Sequence, residues 1–144
     1  MNQSIKFIID RSTIKKYNLY YFTQYPRRKK EPIVSPIAPS LNQWGIMKRP
    51  QANHLKQCWK DFIVWLVQDY NLSNKKIDKC QIVVTYYFRT KQRRDADNYT
   101  IKFIGDGLVA SGLLEDDDFS HIESLTIMGG YDKNCPRTEL TITY

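Results

Sequence analysis

The sequence predicts an α+β fold, a single domain in which a mixed β-sheet packs against two main helices. Residues 80–88 carry the strongest strand pattern, because they are rich in β-branched and aromatic side chains. Residues 51–70 place apolar side chains at spacings of three and four, which is typical of a helix with one buried face. A second helical pattern, at about 98–111, precedes two final strand patterns at 122–128 and 138–143. Elements in this order indicate a sheet covered by helices.

The first fifty residues are less regular. Residues 3–9 alternate well enough for a strand, and the aromatic-rich residues 17–25 are interpreted as another strand. Prolines recur through residues 26–50 and exclude a long helix there, so this stretch is predicted to be irregular.

The second helix carries sequence signals at both ends. Asp97 or Asn98 can cap its N-terminus, and Gly112 can end it in a left-handed conformation. Asp106 is expected on the surface of this helix or paired with Lys102, one turn before it.

Composition excludes several classes of protein. The 144 residues, 42% of them hydrophobic, suffice for a core without disulfides. The chain has no apolar run of membrane-spanning length and no apolar leader at its start, so no membrane association is expected. Three widely spaced cysteines exclude a disulfide framework and a zinc site. The sequence lacks a glycine-rich phosphate loop, so no small-molecule cofactor is expected. We expect a soluble, cytoplasmic protein.

Charge is distributed unevenly along the chain. Residues 95–118 hold seven carboxylates against one lysine, a formal charge of −6 in a chain whose net charge is +7, which leaves +13 on the rest. An acidic segment in a basic chain suits a protein that grips a polyanion and places a divalent cation on it. The carboxylates are those of Asp95, Asp97, Asp106, Glu115, Asp116, Asp117 and Asp118.

Two basic clusters accompany the acidic segment. The first lies in the irregular stretch and is compatible both with a solvated loop and with phosphate binding; it consists of Arg27, Arg28, Lys29 and Lys30. The second ends directly against Asp95 and favours contacts that would bring a nucleic-acid backbone to the acids. It consists of Arg89, Lys91, Arg93 and Arg94.

The acidic residues predict a metal site. Asp95 and Asp97 are two residues apart, so both carboxylates point the same way in an extended segment. A third ligand from residues 116–118 completes the site if the loop after the helix doubles back. Carboxylates without histidine or cysteine favour Mg²⁺ or Mn²⁺ over Zn²⁺. Alone, Asp97 is also explained as a helix cap and residues 116–118 as a solvated turn, but together with the basic flank they favour a metal.

A calcium-binding loop beginning at Asp95 is excluded. Thr100 replaces the glycine of the sharp turn, and Tyr99 offers no carboxylate. Asp106 is shorter than the bidentate glutamate that such a loop requires.

Several short motifs resemble the RusA family of Holliday junction resolvases, small endodeoxyribonucleases that phages and prophages often encode. As a set they are fairly specific, although each is weak alone. They are Pro39-Ser40-Leu41-Asn42, Arg93-Arg94-Asp95-Ala96-Asp97-Asn98, Lys102, Asp106-Gly107-Leu108, Gly112 and Asp116-Asp117. The resemblance covers roughly residues 36–144, so residues 1–35 stand apart as an N-terminal extension with a strand and a basic segment.

The resemblance implies a bacterial or phage-encoded homodimer that binds four-way DNA junctions and cuts paired strands with Mg²⁺. By position, Asp95, Asp97 and Asp117 match metal-binding, catalytic aspartates, with Asp116 or Asp118 as alternative ligands. Lys102 matches a catalytic lysine, although it stands one residue further from Asp97 than the family pattern has it. The two basic clusters are then DNA contacts.

Two other functions are compatible with these residues. One is a non-catalytic DNA-binding or assembly protein of the same fold, in which Lys102 has been displaced. The other is a general metal-dependent nuclease that cuts flaps or duplex as readily as junctions.

Overall fold

A four-stranded mixed sheet organises the structure, a computed structural model that describes residues 2–144. Its strands lie side by side in the order β1-β4-β2-β3. They span β1 (Ser4–Ile9), β2 (Cys80–Phe88), β3 (Ile122–Tyr131) and β4 (Arg137–Thr143). Because β2 runs parallel to β3 but antiparallel to β4, the predicted mixed sheet is confirmed.

One face of the sheet forms the floor of the hydrophobic core. Side chains alternate across a strand, and Ile82 and Val84 of β2 are fully buried together with Ile142 of β4 and Phe7 of β1. The opposite face carries polar side chains such as Glu139, which is mostly buried and ion-paired with Lys6 and Arg137. The domain therefore has two layers, a sheet and a layer of helices, as an α+β fold requires.

The helical layer contains two helices more than predicted. The helices are α1 (Arg11–Gln24), α2 (Leu41–Gly45), α3 (Arg49–Asp69) and α4 (Lys102–Ala110). The two additional helices are α1 and the short α2, and α2 lies in the stretch that was predicted to be irregular. The predicted helix at 51–70 is confirmed by α3, and α4 lies within the second predicted helix.

The strand predicted at 17–25 is wrong, because these residues belong to α1. Asp10 begins this helix with a capping box, in which its carboxylate accepts from the Thr13 amide and its own amide donates to the Thr13 hydroxyl. The buried residues of α1 recur at helical spacing, and its aromatic richness reflects one packed face rather than a strand. They are Ile14, Tyr17, Asn18 and Tyr21.

The N-terminal extension is part of the same core. β1 pairs with β4 over six residues, and Phe7 and Ile9 are buried beneath it. The buried Asn18 amide donates to the Ile33 carbonyl (3.0 Å) and to the Glu31 carboxylate (2.7 Å), which attaches the irregular segment to α1.

The helices α3 and α4 pack closely against each other in the helical layer. A Cβ atom at Gly107 would lie 2.5 Å from Cβ of Ile63, so only glycine allows this approach. Gly112 ends α4 with a φ of 83°, which confirms the predicted left-handed position.

The start of α4 differs from the prediction. Ala96–Asn98 form a single 3-10 turn, and α4 begins only at Lys102, without a side-chain cap. The predicted caps at Asp97 and Asn98 are therefore wrong. Asn98 Oδ1 instead accepts a hydrogen bond from the Asn42 amide in the first turn of α2 (2.9 Å).

Strand β3 lies at one edge of the sheet and is longer than predicted, since it continues through Gly129 and Gly130 to Tyr131. Most of its side chains are exposed, unlike those of β2 and β4. Across residues 2–144, none of the helices combines the length and the apolar character that crossing a bilayer requires.

Candidate functional site

A groove of about 620 Å³ lies between α4 and the beginning of β3. Residues of three helices, of β3 and of the loops before α4 and before β3 line it, and six charged side chains are among them. These are Lys56, Lys102, Asp106, Asp117, Asp118 and Glu123. The acidic groove, as we name it, therefore concentrates carboxylates with two lysines beside them.

The loop after Gly112 doubles back along α4, as the predicted metal site requires. Asp117 Oδ2 lies 3.3 Å from the position that a Cβ atom on Gly105 would occupy. Because Gly105 has no side chain, this carboxylate can lie directly against the middle of the helix. Asp106, the next residue of α4, lines the same groove.

Asp117 approaches α4 at a point where other carboxylates repel its negative charge. Partial burial, followed by the nearby carboxylates of Asp106 and Asp116, raises the pKa of Asp117 above its usual range. Ionised Asp117 is therefore destabilised in the folded chain, and a cation in the groove would relieve the repulsion.

Asp106 lies on the surface of α4, which was one of the two predicted alternatives, but the predicted pairing with Lys102 is wrong. Its carboxylate lies 3.6 Å from Nζ of Lys56 on α3, and not against Lys102 one turn before it. Both side chains are 40–46% exposed, so the ion pair orients the groups more than it stabilises the fold. Lys56 carries no local sequence signal, since only the packing of α3 against α4 brings it to the groove.

Lys102 lies on the rim of the groove. Its Nζ lies 4.9 Å from the centre of the Trp44 indole ring. This cation–π contact holds the charge above the aromatic face while the side chain remains exposed.

Asp95 and Asp97 lie on the loop that follows β2. Asp95 is extended, but Asp97 belongs to the 3-10 turn, so the extended geometry that would align both carboxylates is absent. Asp95 lines a cleft of about 190 Å³ beside Tyr86 and Ile127, and its carboxylate lies 3.4 Å from Nε of the exposed Arg93. Asp97 is exposed.

The predicted ligands Asp95, Asp97 and Asp117 do not form a compact group. Among residues 2–144, two sets of three side chains offer ligand atoms within 4.8 Å of one another, and His121 belongs to both. They are Asp78, Glu115 and His121, and Asp116, Asp118 and His121.

His121 binds Asp118, the last residue of the acidic segment, through a hydrogen bond. Its Nδ1 lies 2.5 Å from Asp118 Oδ1, which also accepts from the Ser120 hydroxyl (2.7 Å). The hydrogen bond to Asp118 raises the pKa of His121, and the same bond lowers the pKa of Asp118. The expectation of carboxylates without histidine therefore fails for Asp118, although it holds for Asp106 and Asp117. The spacing of three residues between Asp118 and His121 was the available sequence signal.

The basic cluster after β2 divides into two kinds of residue. Arg94 stacks 4.1 Å over Phe88 and donates to two backbone carbonyls and the Thr90 hydroxyl, so it shapes the loop. Lys91 lies 4.9 Å from the Tyr131 ring centre. Arg89 and Arg93 are exposed on this loop and remain accessible to an anion.

The basic cluster after α1 divides in the same way. Arg28 stacks 4.4 Å over Tyr25 and donates to the Tyr21 hydroxyl (2.7 Å). Arg27, Lys29 and Lys30 are exposed, and no ion pair involving them occurs in the part of the chain that the structure describes.

The contact between His121 and Asp118 predicts a pH-dependent signal. Protonated His121 gains a partner on folding, so the contact stabilises the fold below the ordinary histidine pKa and is lost as pH rises through the raised value. An NMR titration should give His121 a pKa above 6.5, and Asp118→Asn should lower it. Asp116→Asn, the matched control, should lower it less, since Asp116 acts only through space. An unchanged pKa in Asp118→Asn would contradict the contact.

Comparison with known proteins adds no family to these observations. No model of a known protein family matches the chain, and no curated protein sequence matches it either. The resemblance to the RusA family therefore rests on the short motifs named above. Two of these motifs touch in the structure, since Asn98 accepts a hydrogen bond from the amide of Asn42.

Proposed function

We propose that the chain is a metal-dependent endodeoxyribonuclease that hydrolyses phosphodiester bonds in branched DNA, four-way junctions above all, with Mg²⁺ as its ion and Mn²⁺ as a substitute. The observation that carries the proposal is the approach of Asp117 to α4 beside Asp106, in a groove that two lysines also reach. The resemblance places this activity in recombination and repair, in the cytoplasm of a bacterial or phage-infected cell.

The donor set of the acidic groove fits Mg²⁺. Hard carboxylate oxygens are its preferred protein ligands, and a site with few carboxylates leaves positions for water and phosphate oxygens. The raised pKa of Asp117 supports a cation there, because the ion would remove the repulsion between Asp117, Asp106 and Asp116. The bound ion would supply an activated water and stabilise the leaving oxygen.

The family resemblance supplies Asp95 and Asp97 as the remaining ligands, although the structure does not bring them into one compact group with Asp117. Their support is the resemblance and the basic residues that flank them. Arg89 and Arg93 are exposed on the adjoining loop and would contact phosphates of a bound strand. Lys102 on the rim of the groove would neutralise charge that develops on the phosphate.

The homodimer belongs to the same proposal, and the exposed edge of β3 supports it. No charged side chain occurs from Ser124 to Tyr131, and Leu125, Met128 and Tyr131 are 42–51% exposed. The other sheet edge is protected, since Ile8 of β1 donates to the Tyr70 hydroxyl and accepts from the Thr13 hydroxyl. An unprotected, uncharged edge favours pairing with a second copy. A two-fold dimer would present two sites to two symmetric strands.

Cleavage of a synthetic four-way junction tests the nuclease. Wild-type protein should cut the junction faster than a flap or a duplex, and only with Mg²⁺ or Mn²⁺. Asp117→Asn and Asp97→Asn should abolish cleavage and leave binding intact or tighter, since each removes a repulsive charge. Asp106→Asn should slow cleavage by about 10–100-fold, the usual effect of losing a supporting ligand partner.

Asp78→Asn is the matched control, because Asp78 lies with Glu115 and His121 and does not line the acidic groove. This variant should cleave the junction at the wild-type rate. Normal cleavage by Asp117→Asn would contradict the metal assignment, and normal cleavage by Asp97→Asn would remove Asp97 from the ligands. Junction binding without cleavage under any divalent metal would favour the non-catalytic alternative. Equal rates on junction, flap and duplex would favour the general nuclease.

Light scattering tests the dimer. The wild-type chain should be a dimer at micromolar concentration, and Met128→Lys should be a monomer, because a lysine on the exposed edge opposes pairing. Ile8→Lys, the equivalent change on β1, should remain a dimer. A monomeric wild type, or a dimeric Met128→Lys, would contradict pairing through β3.

A further inference from the structure

A second groove, of about 420 Å³, lies between α1 and α3 and is lined largely by aromatic rings. Tyr20 and Tyr25 are 44% and 47% exposed on its sides, while Trp65 is half-buried between the helices. The Tyr20 and Trp65 rings lie 6.3 Å apart between centres at an angle of 31°. We call this feature the aromatic groove. Exposed aromatic faces gathered in one place mark a binding surface more often than they serve the fold.

Polar groups in the aromatic groove can form hydrogen bonds with the edge of a planar heterocycle. Gln24, Gln68 and Asp61 line it and are exposed. Amides donate and accept, and a carboxylate accepts from amino groups such as those of nucleobases. Asp61 also disfavours a phosphate inside the groove, so a base can enter while its backbone stays on the rim.

Cations lie on that rim. Arg28 stacks on Tyr25 and bonds Tyr21, which fixes the start of the basic segment beside the aromatic rings. Arg27, Lys29 and Lys30 flank Arg28 in the chain; they are exposed and form no ion pair within residues 2–144. Lys16 lies 5.9 Å from the Trp65 ring centre, but its charge is paired with the Asp69 carboxylate (3.0 Å).

We propose that the aromatic groove binds unpaired bases of single-stranded DNA, with the basic segment from Arg27 to Lys30 along its backbone. Aromatic faces beside a row of cations are the combination that binds single strands, because every base has a stacking face and every link a negative charge. A base within duplex DNA is already stacked on its neighbours, so the groove would select unpaired DNA. The proposal rests on the proposed function in one respect, that the polymer is DNA.

The position of α3 connects the two grooves. Lys56 of this helix faces the acidic groove, whereas Asp61, Trp65 and Gln68 face the aromatic groove. A strand unpaired at a branch point could therefore contact both sides of one helix. The aromatic groove would favour branched substrates with single-stranded segments over uninterrupted duplex.

Fluorescence anisotropy of a labelled oligothymidylate tests the proposal, in EDTA so that no cleavage occurs. The double variant Tyr20→Ala/Tyr25→Ala should raise the Kd for the oligonucleotide at least about tenfold, since two stacking faces are lost. Tyr20→Phe/Tyr25→Phe should restore tight binding, because the rings remain. Leu19→Ala is the matched control, since Leu19 is exposed on the same helix outside the aromatic groove, and it should bind like wild type.

Three results for the double alanine variant would overturn the proposal. It could bind the oligonucleotide as tightly as wild type, or lose duplex binding as much as oligonucleotide binding. It could also differ from wild type in oligomeric state by light scattering. The last would identify a second copy of the chain as the occupant. Failure here is distinguishable from failure of the nuclease, because the binding assay contains no metal. A protein that binds the oligonucleotide through Tyr20 and Tyr25 but cuts no junction would retain the aromatic groove and lose the proposed activity.

Discussion

The close approach of α3 to α4 at Gly107 is the constraint on which the acidic groove depends. Ile63 fills the space that a side chain at Gly107 would need. The same approach brings Lys56 within reach of Asp106. Gly105, two residues earlier, leaves room for Asp117. Two glycines on one helix thus set the position of a lysine from α3 and of a carboxylate from the loop before β3.

This arrangement changes the meaning of the acidic segment. Carboxylates that are close in sequence enter different environments once the chain is folded. Asp106, Asp117 and Asp118 line the acidic groove, and Asp118 is also bound by His121, whereas Asp95 lies beside a different cleft. Asp117 lies near the carboxylates of Asp106 and Asp116, whereas His121 contacts Asp118 and Arg93 contacts Asp95. Under the proposed function, the cation would therefore bind in the acidic groove rather than elsewhere along the segment.

Local sequence patterns predicted the elements whose burial is regular. β2 was predicted with its observed bounds, and α3 follows its apolar stripe, because in both cases the pattern and the packing agree. α1 was missed because its tyrosines have a high strand propensity, while the buried Asn18 interrupts the apolar stripe. The side-chain NH₂ of Asn18 donates only to Ile33 and Glu31, which lie outside the helix. The partners of Asp106 and Asn98 are contributed by α3 and α2, about fifty residues away, and no local pattern could indicate them.

The central claim is that the acidic groove holds the divalent cation, and paramagnetic broadening by Mn²⁺ in NMR spectra of the chain tests it most directly. With substoichiometric Mn²⁺, the amide signals of Gly105, Asp106 and Asp117 should broaden first, and the combined Asp106→Asn/Asp117→Asn variant should lose this effect. Broadening centred instead on Asp78 and His121, or spread evenly over the exposed carboxylates, would contradict the claim.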